Sequence, residues 1–255
     1  MPLCLGGKKV LFSFIMLQNI DYTKLLVLDI ETVPQYPSYA DVPEKWQHLW
    51  AKKSATLKRA EGESESDIYP RAGIYAEFGK IVCISCGFFS SSGRTYQFRV
   101  KSFYGDDEAK LLSDFNAMLE RHFSEPGCSL VAHNGKEFDY PYIGRRCLLN
   151  GLEIPTLLDI AGKKPWEVNL LDTMELWKFG DYKNYTSLEL LAASFGIPTP
   201  KDDIDGSKVW SVYWLENDLE RIKTYCQKDV VTVAQLLLKF RNEALLSEEQ
   251  VLLIP

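Results

Sequence analysis

The sequence predicts an α/β domain, and three observations carry that prediction. An apolar run, Leu25 to Ile30, breaks into acid at its carboxyl end. Two further apolar runs flank a Ser/Gly turn, and stripes of helical period fall between and after these strands. The run LLVLDIE reads as a buried strand. Next, KIVCISCGFF and RTYQFRVKSF flank Ser90-Ser91-Ser92-Gly93 and read as a hairpin. Asp106 to Phe123 spaces Leu111, Phe115, Met118 and Leu119 as one helix face, and leads to a short strand, Ser129 to His133. Asn134-Gly135 then turns into Phe138-Asp139-Tyr140-Pro141, where Pro141 suits the first turn of a helix. Thr186-Ser187 caps LELLAASF, which stops at Gly196 and Pro198. Last, Asn217 to Asn242 sets Leu219, Ile222, Cys226, Val230, Val233, Leu237 and Phe240 on one stripe.

Four acids recur at the joints of this pattern. Asp29 and Glu31 lie two apart on a strand and so share a face. Tyr225 and Asp229 are i and i+4 on the final helix and share another. Asp139 stands where a strand hands over to a helix. Buried together, unpaired carboxylates raise each other's pKa, and four are untenable unless cations neutralise them. The expected occupants are two divalent ions, Mg²⁺ or Mn²⁺, about 3.5–4 Å apart.

Asp-x-Glu on a first strand, Asn-x₃-Phe-Asp-x-Pro-Tyr at NGKEFDYPY and Tyr-x₃-Asp at YCQKD resemble the three motifs of the DnaQ-like (DEDD) 3′→5′ exonucleases. The spacing of Asn134 to Asp139 is nearest the proofreading domain of family-B DNA polymerases, and Tyr225, with Thr224 before it, matches the tyrosine subclass. The resemblance covers roughly residues 24 to 242, too short for a polymerase as well, so it implies a free-standing exonuclease. It further implies a ribonuclease-H-like mixed sheet with an antiparallel hairpin, parallel central strands and helices on both faces.

On that resemblance Asp29, Glu31, Asp139 and Asp229 hold the two ions and Tyr225 orients the attacking water. Asn134, Phe138 and Thr32 join the substrate site, and Asp172 and His133 support it from behind. His133 is expected to satisfy a backbone group in the turn, not an ion. The implied reaction releases nucleoside 5′-monophosphates from the 3′ end of DNA, with single-stranded DNA or a frayed 3′ end as the partner. An exoribonuclease or oligoribonuclease would use the same chemistry, because nothing in the motifs reads a 2′-hydroxyl. A binding module with a dead site is disfavoured by the presence of all four acids. Protein partners are unknown from the sequence.

The chain has 255 residues, 46% apolar and 13% aromatic, ample for a core, and a net charge of −6 that is unusual for a protein holding phosphates. Strand affinity must therefore be local. The candidates are Arg145 and Arg146, and the cluster Lys52, Lys53, Lys58 and Arg59. That cluster lies in an insertion at about 34–79, where Trp46, Leu49 and Trp50 form an apolar stripe. The tryptophans are expected to pack on the body, and the segment to act as a flap beside the site, with aromatics stacking on bases.

Six cysteines read as reduced core residues; Cys83 and Cys86, three apart on a strand, face opposite ways and cannot share a metal. Residues 1–23 read as an extension: Lys8-Lys9 and VLFSFIML imitate a signal peptide without its cleavage motif, and Met16 is an alternative start. The domain is expected over 24–245 and a tail over 246–255. No run is long enough to span a membrane, and a cytoplasmic location is expected.

Overall fold

The apolar run at Leu25–Pro34 forms β1 in the computed structural model of the protein, which describes residues 17–92, 95–164, 167–168, 170–181, 185–198 and 204–255. The other strands are β2 (Gly79–Ser92), β3 (Thr95–Tyr104), β4 (Ser129–Ala132), β5 (Leu171–Asp172) and β6 (Val251–Ile254). The helices are α1 (Glu44–Ser54), α2 (Glu108–His122), α3 (Asp139–Leu149), α4 (Thr173–Lys178), α5 (Leu188–Ser194), α6 (Val209–Trp214) and α7 (Leu219–Phe240). The sheet order is β5-β4-β1-β2-β3-β6: β1, β2 and β3 run antiparallel, and β4, β5 and β6 add in parallel. This is the expected mixed sheet, with an antiparallel hairpin at β2 and β3 and parallel pairing of β1 with β4.

Alternation along β1 decides what each face meets. Leu26, Leu28 and Ile30 enter one core with Leu112 and Phe115 of α2 and Tyr140 and Ile143 of α3. Leu25 and Val27 enter another with Val230, Val233 and Leu237 of α7. Helices therefore cover both faces, and Asp29 and Glu31 necessarily point to the side of α7. Cys86 lies in the first core and Cys83 in the cluster under α6 and α7, so the two thiols do face apart.

Two irregularities shape the end of β1. Its pairing with β4 covers only Leu25 to Val27, leaving the far half of that edge without a strand partner among the described residues. Opposite, the register with β2 slips: Glu31 faces Cys83 but Thr32 faces Ile81, leaving Val82 as a bulge. A bulge turns neighbouring side chains toward one side and sharpens the twist. Accordingly Val82 and Cys83 share one cluster.

The insertion is a small layer of its own. Trp50 is wholly buried with Val42, Ile68, Tyr69 and Ala72, and its indole N–H donates to the Glu65 carbonyl at 2.8 Å. Trp46 also packs on the body, edgewise against Phe78, but it and Leu49 are each 37% exposed, so only Trp50 is fully buried.

Both expected domain ends are corrected. Residues 246–255 are no tail: β6 pairs with β3, and Leu246 is buried and clamped by the Gln235 amide through two hydrogen bonds of 3.0 and 2.9 Å. At the other end Tyr22 is buried and donates to the Leu237 carbonyl at 3.1 Å, and Arg241 donates to the Ile20 carbonyl at 2.7 Å. Residues 20–23 thus belong to the packed domain. Lys8, Lys9, Met16 and Gly93 lie outside the described residues. Among those described, no helix is long and apolar enough to cross a membrane.

Candidate active site

The half of β1 that outruns β4 carries the acids. Because no strand covers that edge, the Ile30 N–H is left to a side chain, and Asp139 at the first turn of α3 accepts it at 3.2 Å. This hydrogen bond ties the second motif to the first. From the opposite face α7 brings Tyr225 and Asp229 toward Asp29 and Glu31; all three acids contribute to the electrostatic environment of the Tyr225 phenol, and Asp229 hydrogen-bonds to it. Between them lies Cys226, wholly buried, whose thiol donates to Asp29 Oδ2 at 3.3 Å and approaches the Asp29 carbonyl at 3.4 Å. The ligand atoms of Asp29, Glu31 and Cys226 fall within 4.8 Å of one another.

The loop before Asp139 is held by Asp172. This carboxylate is 2% exposed and accepts from the backbone N–H groups of Asn134 (2.9 Å), Lys136 (3.1 Å) and Met174 (2.9 Å), the last capping α4. Its acceptor capacity goes to the backbone, which makes it a support. Asn134 takes a left-handed φ of 62°, a conformation that asparagine tolerates. A Cβ on Gly135 would stand 2.5 Å from the Ala132 Cβ, so glycine is required there. His133 is spent as well: Nδ1 meets Thr173 Oγ1 at 2.9 Å and Nε2 meets the Thr186 carbonyl at 2.8 Å. It does meet a backbone carbonyl, but that of Thr186, 53 residues on, and not one in its own turn. The Phe138 ring packs on Tyr142, centroids 5.4 Å apart, and Tyr142 donates to the Gly73 carbonyl of the insertion at 2.7 Å. Thr32 is half-buried on β1 and a hydrogen-bond neighbour of Tyr142. Asn134 Oδ1 is buried without a hydrogen-bond partner.

Burial and repulsion leave these acids reluctant to ionise. Burial, then the charges of Asp139 and Asp229, pushes Asp29 well above the ordinary carboxylate range. Burial, then Asp29 and Asp229, does the same to Glu31. Asp139 is raised to about 7, chiefly by burial, against the pull of backbone N–H donors that include Ile30. The Tyr225 phenol is pushed up by burial and then by Asp229, Glu31 and Asp29, so it is a proton donor throughout the physiological range. The Cys226 thiol is likewise raised by burial and stays protonated. A carboxylate set of this kind is suited to hard divalent cations, which prefer oxygen.

Not every expected residue joins the site. Arg146 is corrected: its guanidinium is buried in α3, pairs with Glu108 of α2 at 2.5 Å and donates to the Ala76 carbonyl at 2.8 Å. It closes the core and cannot reach a strand. Arg145, the next residue back, is exposed. Arg59 is also engaged, with Nε on the Ser54 carbonyl at 3.0 Å, one terminal nitrogen on Ser54 Oγ at 2.7 Å and the other 3.9 Å from Glu65. Cys226 is a residue in contact with Asp29 that the sequence reading did not place at the site. Its only signal was its place on the sheet-facing stripe of α7 within YCQKD.

Residues 74–250 match the family of predicted 3′-5′ exonucleases related to the exonuclease domain of PolB. The match takes in Asn134, Asp139, Tyr225 and Asp229, while Asp29 and Glu31 precede it in the chain and are brought to those residues by the fold. No curated protein matches the sequence. Among solved structures, the family B DNA polymerase from the hyperthermophilic archaeon Pyrobaculum calidifontis is similar at 16% identity and a TM-score of 0.46, over 85% of this chain and 24% of that one. The chain thus spans about a quarter of that polymerase's length. With more than half of its residues matched, the chain belongs to the family of predicted 3′-5′ exonucleases related to the exonuclease domain of PolB.

Proposed function

We propose that this exonuclease shortens DNA from the 3′ end, one nucleoside 5′-monophosphate at a time, with two divalent cations held by Asp29, Glu31, Asp139 and Asp229. The observation that carries the proposal is the convergence of these acids at the uncovered end of β1, where burial and the charges of neighbouring acids, Asp229 among them, oppose the ionisation of Asp29, Glu31 and Asp139. Cations reverse that penalty, and the oxygen-rich donor set fits Mg²⁺ or Mn²⁺. When bound, such ions lower the pKa of a water and steady the charge on the leaving 3′ oxygen.

The chain's own groups do the rest. Tyr225, still protonated, gives its O–H to Asp229 in this structure; with Asp229 held by a cation, that same O–H turns to the attacking water and fixes it in line, so the phenol acts as a donor and not as a base. Water oxygen bonds to the terminal phosphorus as the bond to the 3′ oxygen breaks, and a proton ends on that oxygen. Phe138, half-buried before Asp139, offers a ring for the terminal base. The unpartnered Asn134 Oδ1 supports a contact with the strand beside the scissile bond, since a buried acceptor without a donor is costly until something satisfies it.

The test compares labelled single-stranded DNA, duplex with a mismatched 3′ end and RNA, each with Mg²⁺ and with Mn²⁺. Single-stranded DNA is expected to be shortened fastest from its 3′ end. Faster loss of RNA would make the protein an exoribonuclease at the same site, and no hydrolysis of any substrate would overturn the proposal.

A further inference from the structure

The insertion presents one feature that the exonuclease site does not use. Helix α1 buries a narrow seam, Trp50 and Ser54, and leaves Lys45, Trp46, His48, Leu49, Lys52 and Lys53 exposed, with Lys58 exposed just beyond. In a chain of net charge −6 this is a concentrated positive surface. Among the described residues Lys45, Lys52 and Lys58 have no ion pair, and Lys53 lies over the Tyr75 ring at 4.3 Å. Exposed Glu44, in the first turn of α1, and Glu61 share this region, and three further acids are engaged locally. Glu63 accepts from the Ala60 N–H at 2.6 Å, Asp67 from the Ser64 N–H at 2.8 Å, and Glu65 lies near Arg59.

This helix is fixed to the end of the strand that bears the acids. Trp46 and Trp50 both pack edgewise on Phe78, at 5.8 and 5.4 Å between centroids. The Phe78 carbonyl accepts the N–H of Gln35, the residue directly after β1, at 3.0 Å. The turn at Tyr69–Ile74 lies against Val33 and receives the Tyr142 hydroxyl from α3. The family match begins at residue 74, so the family assigns nothing to α1.

We infer that the exposed face of α1 is a strand-binding surface for single-stranded nucleic acid. Lys45, Lys52 and Lys53 meet phosphates upstream of the 3′ end, and a base stacks on Trp46. Lys45 and Lys52 are two helical turns apart, about 10 Å along the axis, so they serve different phosphates. Lysines beside an exposed indole are the combination that holds unpaired strands without reading sequence. The inference rests on the exonuclease reading for its choice of polyanion. Arg59 takes no part, because its guanidinium is committed to Ser54.

The experiment measures binding of a labelled oligothymidylate by fluorescence anisotropy in EDTA, across a salt series, for the wild type, for Lys45→Ala/Lys52→Ala/Lys53→Ala and for Trp46→Ala. The triple variant is expected to bind more weakly and to flatten the slope of log affinity against log salt by about 2, since each single-strand phosphate contact contributes roughly 0.7. Trp46→Ala is expected to weaken binding about 5-fold or more with the slope unchanged. Wild-type slope and affinity in the triple variant would overturn the inference. So would equal affinity of the wild type for polyglutamate, which would make the face a general polyanion or protein surface. Hydrolysis of the p-nitrophenyl ester of thymidine 5′-monophosphate by the wild type keeps the two readings apart. If the slope flattens but the ester is untouched, the surface stands and the exonuclease chemistry fails; if the ester is cleaved but the slope does not move, the reverse holds.

Discussion

The thiol of Cys226 points at Asp29 and donates to its Oδ2 across 3.3 Å, although the two residues are 197 positions apart. That donor holds one carboxylate oxygen and so sets the direction of the other. Cys226→Val removes the donor at nearly constant volume, and Cys226→Ser restores it. A neutral hydrogen bond is worth about 1 kcal/mol, so Cys226→Val is expected to raise the Mn²⁺ concentration for half-maximal activity roughly fivefold, with Cys226→Ser near the wild type. Identical Mn²⁺ dependence in all three proteins would reduce Cys226 to core filler.

Tyr225 is assigned to the water. Tyr225→Phe keeps the ring and removes the donor, so the chemical step is expected to slow by about 10²-fold or less while Mn²⁺ affinity persists. Single-turnover rates and calorimetric Mn²⁺ titration separate the two effects. Loss of the metal along with the rate would show that Tyr225 supports Asp229 instead.

The buried acids also set a pH dependence. Asp139, ordinarily 3.8, is raised to about 7 in the folded chain, so the fold binds a proton that the unfolded chain has lost. Its contribution to stability is complete below the unfolded value and is lost as pH rises through about 7. Asp29 and Glu31 shift in the same direction. Burial lowers His133, whose effect has the opposite sign but is complete above its ordinary 6.5. In EDTA, melting is therefore expected to fall from about pH 6.5 to about pH 8, with Mn²⁺ stabilising more at the higher pH because its ligands must be ionised. A melting temperature that rises over this window would contradict the assignment.

Arg146 and Glu108 are expected to behave as core. Removing one partner of a buried ion pair costs about 3–5 kcal/mol, so Arg146→Met should lower the denaturant midpoint sharply, whereas exposed Arg145→Ala should not. If Arg146→Met instead leaves stability intact and weakens strand binding, Arg146 holds the strand and not the core.

What the sequence made legible was local. The alternation of β1 and the stripe of α7 put the acids and Tyr225 on known faces, and turn chemistry located the hairpin and α3. What stayed hidden was pairing over long separations. Nothing near Arg146 reveals Glu108, 38 residues away, and nothing in VLLI names β3 as its partner. Trp46 and Trp50 share a stripe, yet only the cluster around Tyr69 decides that Trp50 is the one buried. Cys226 was visible as a core residue, but its role depends on Asp29 across the interface between helix and sheet.

The most direct test follows a 5′-labelled single strand with Mn²⁺ in the presence of the wild type, Asp29→Asn, Asp139→Asn and Asp229→Asn. Each substitution keeps side-chain size and removes a charge from a site that repels charge, so all three variants should remain folded by circular dichroism. The account predicts a ladder of products shortened stepwise from the 3′ end by the wild type, and an intact strand with every variant. Stepwise shortening at the wild-type rate by any one of the folded variants would contradict it.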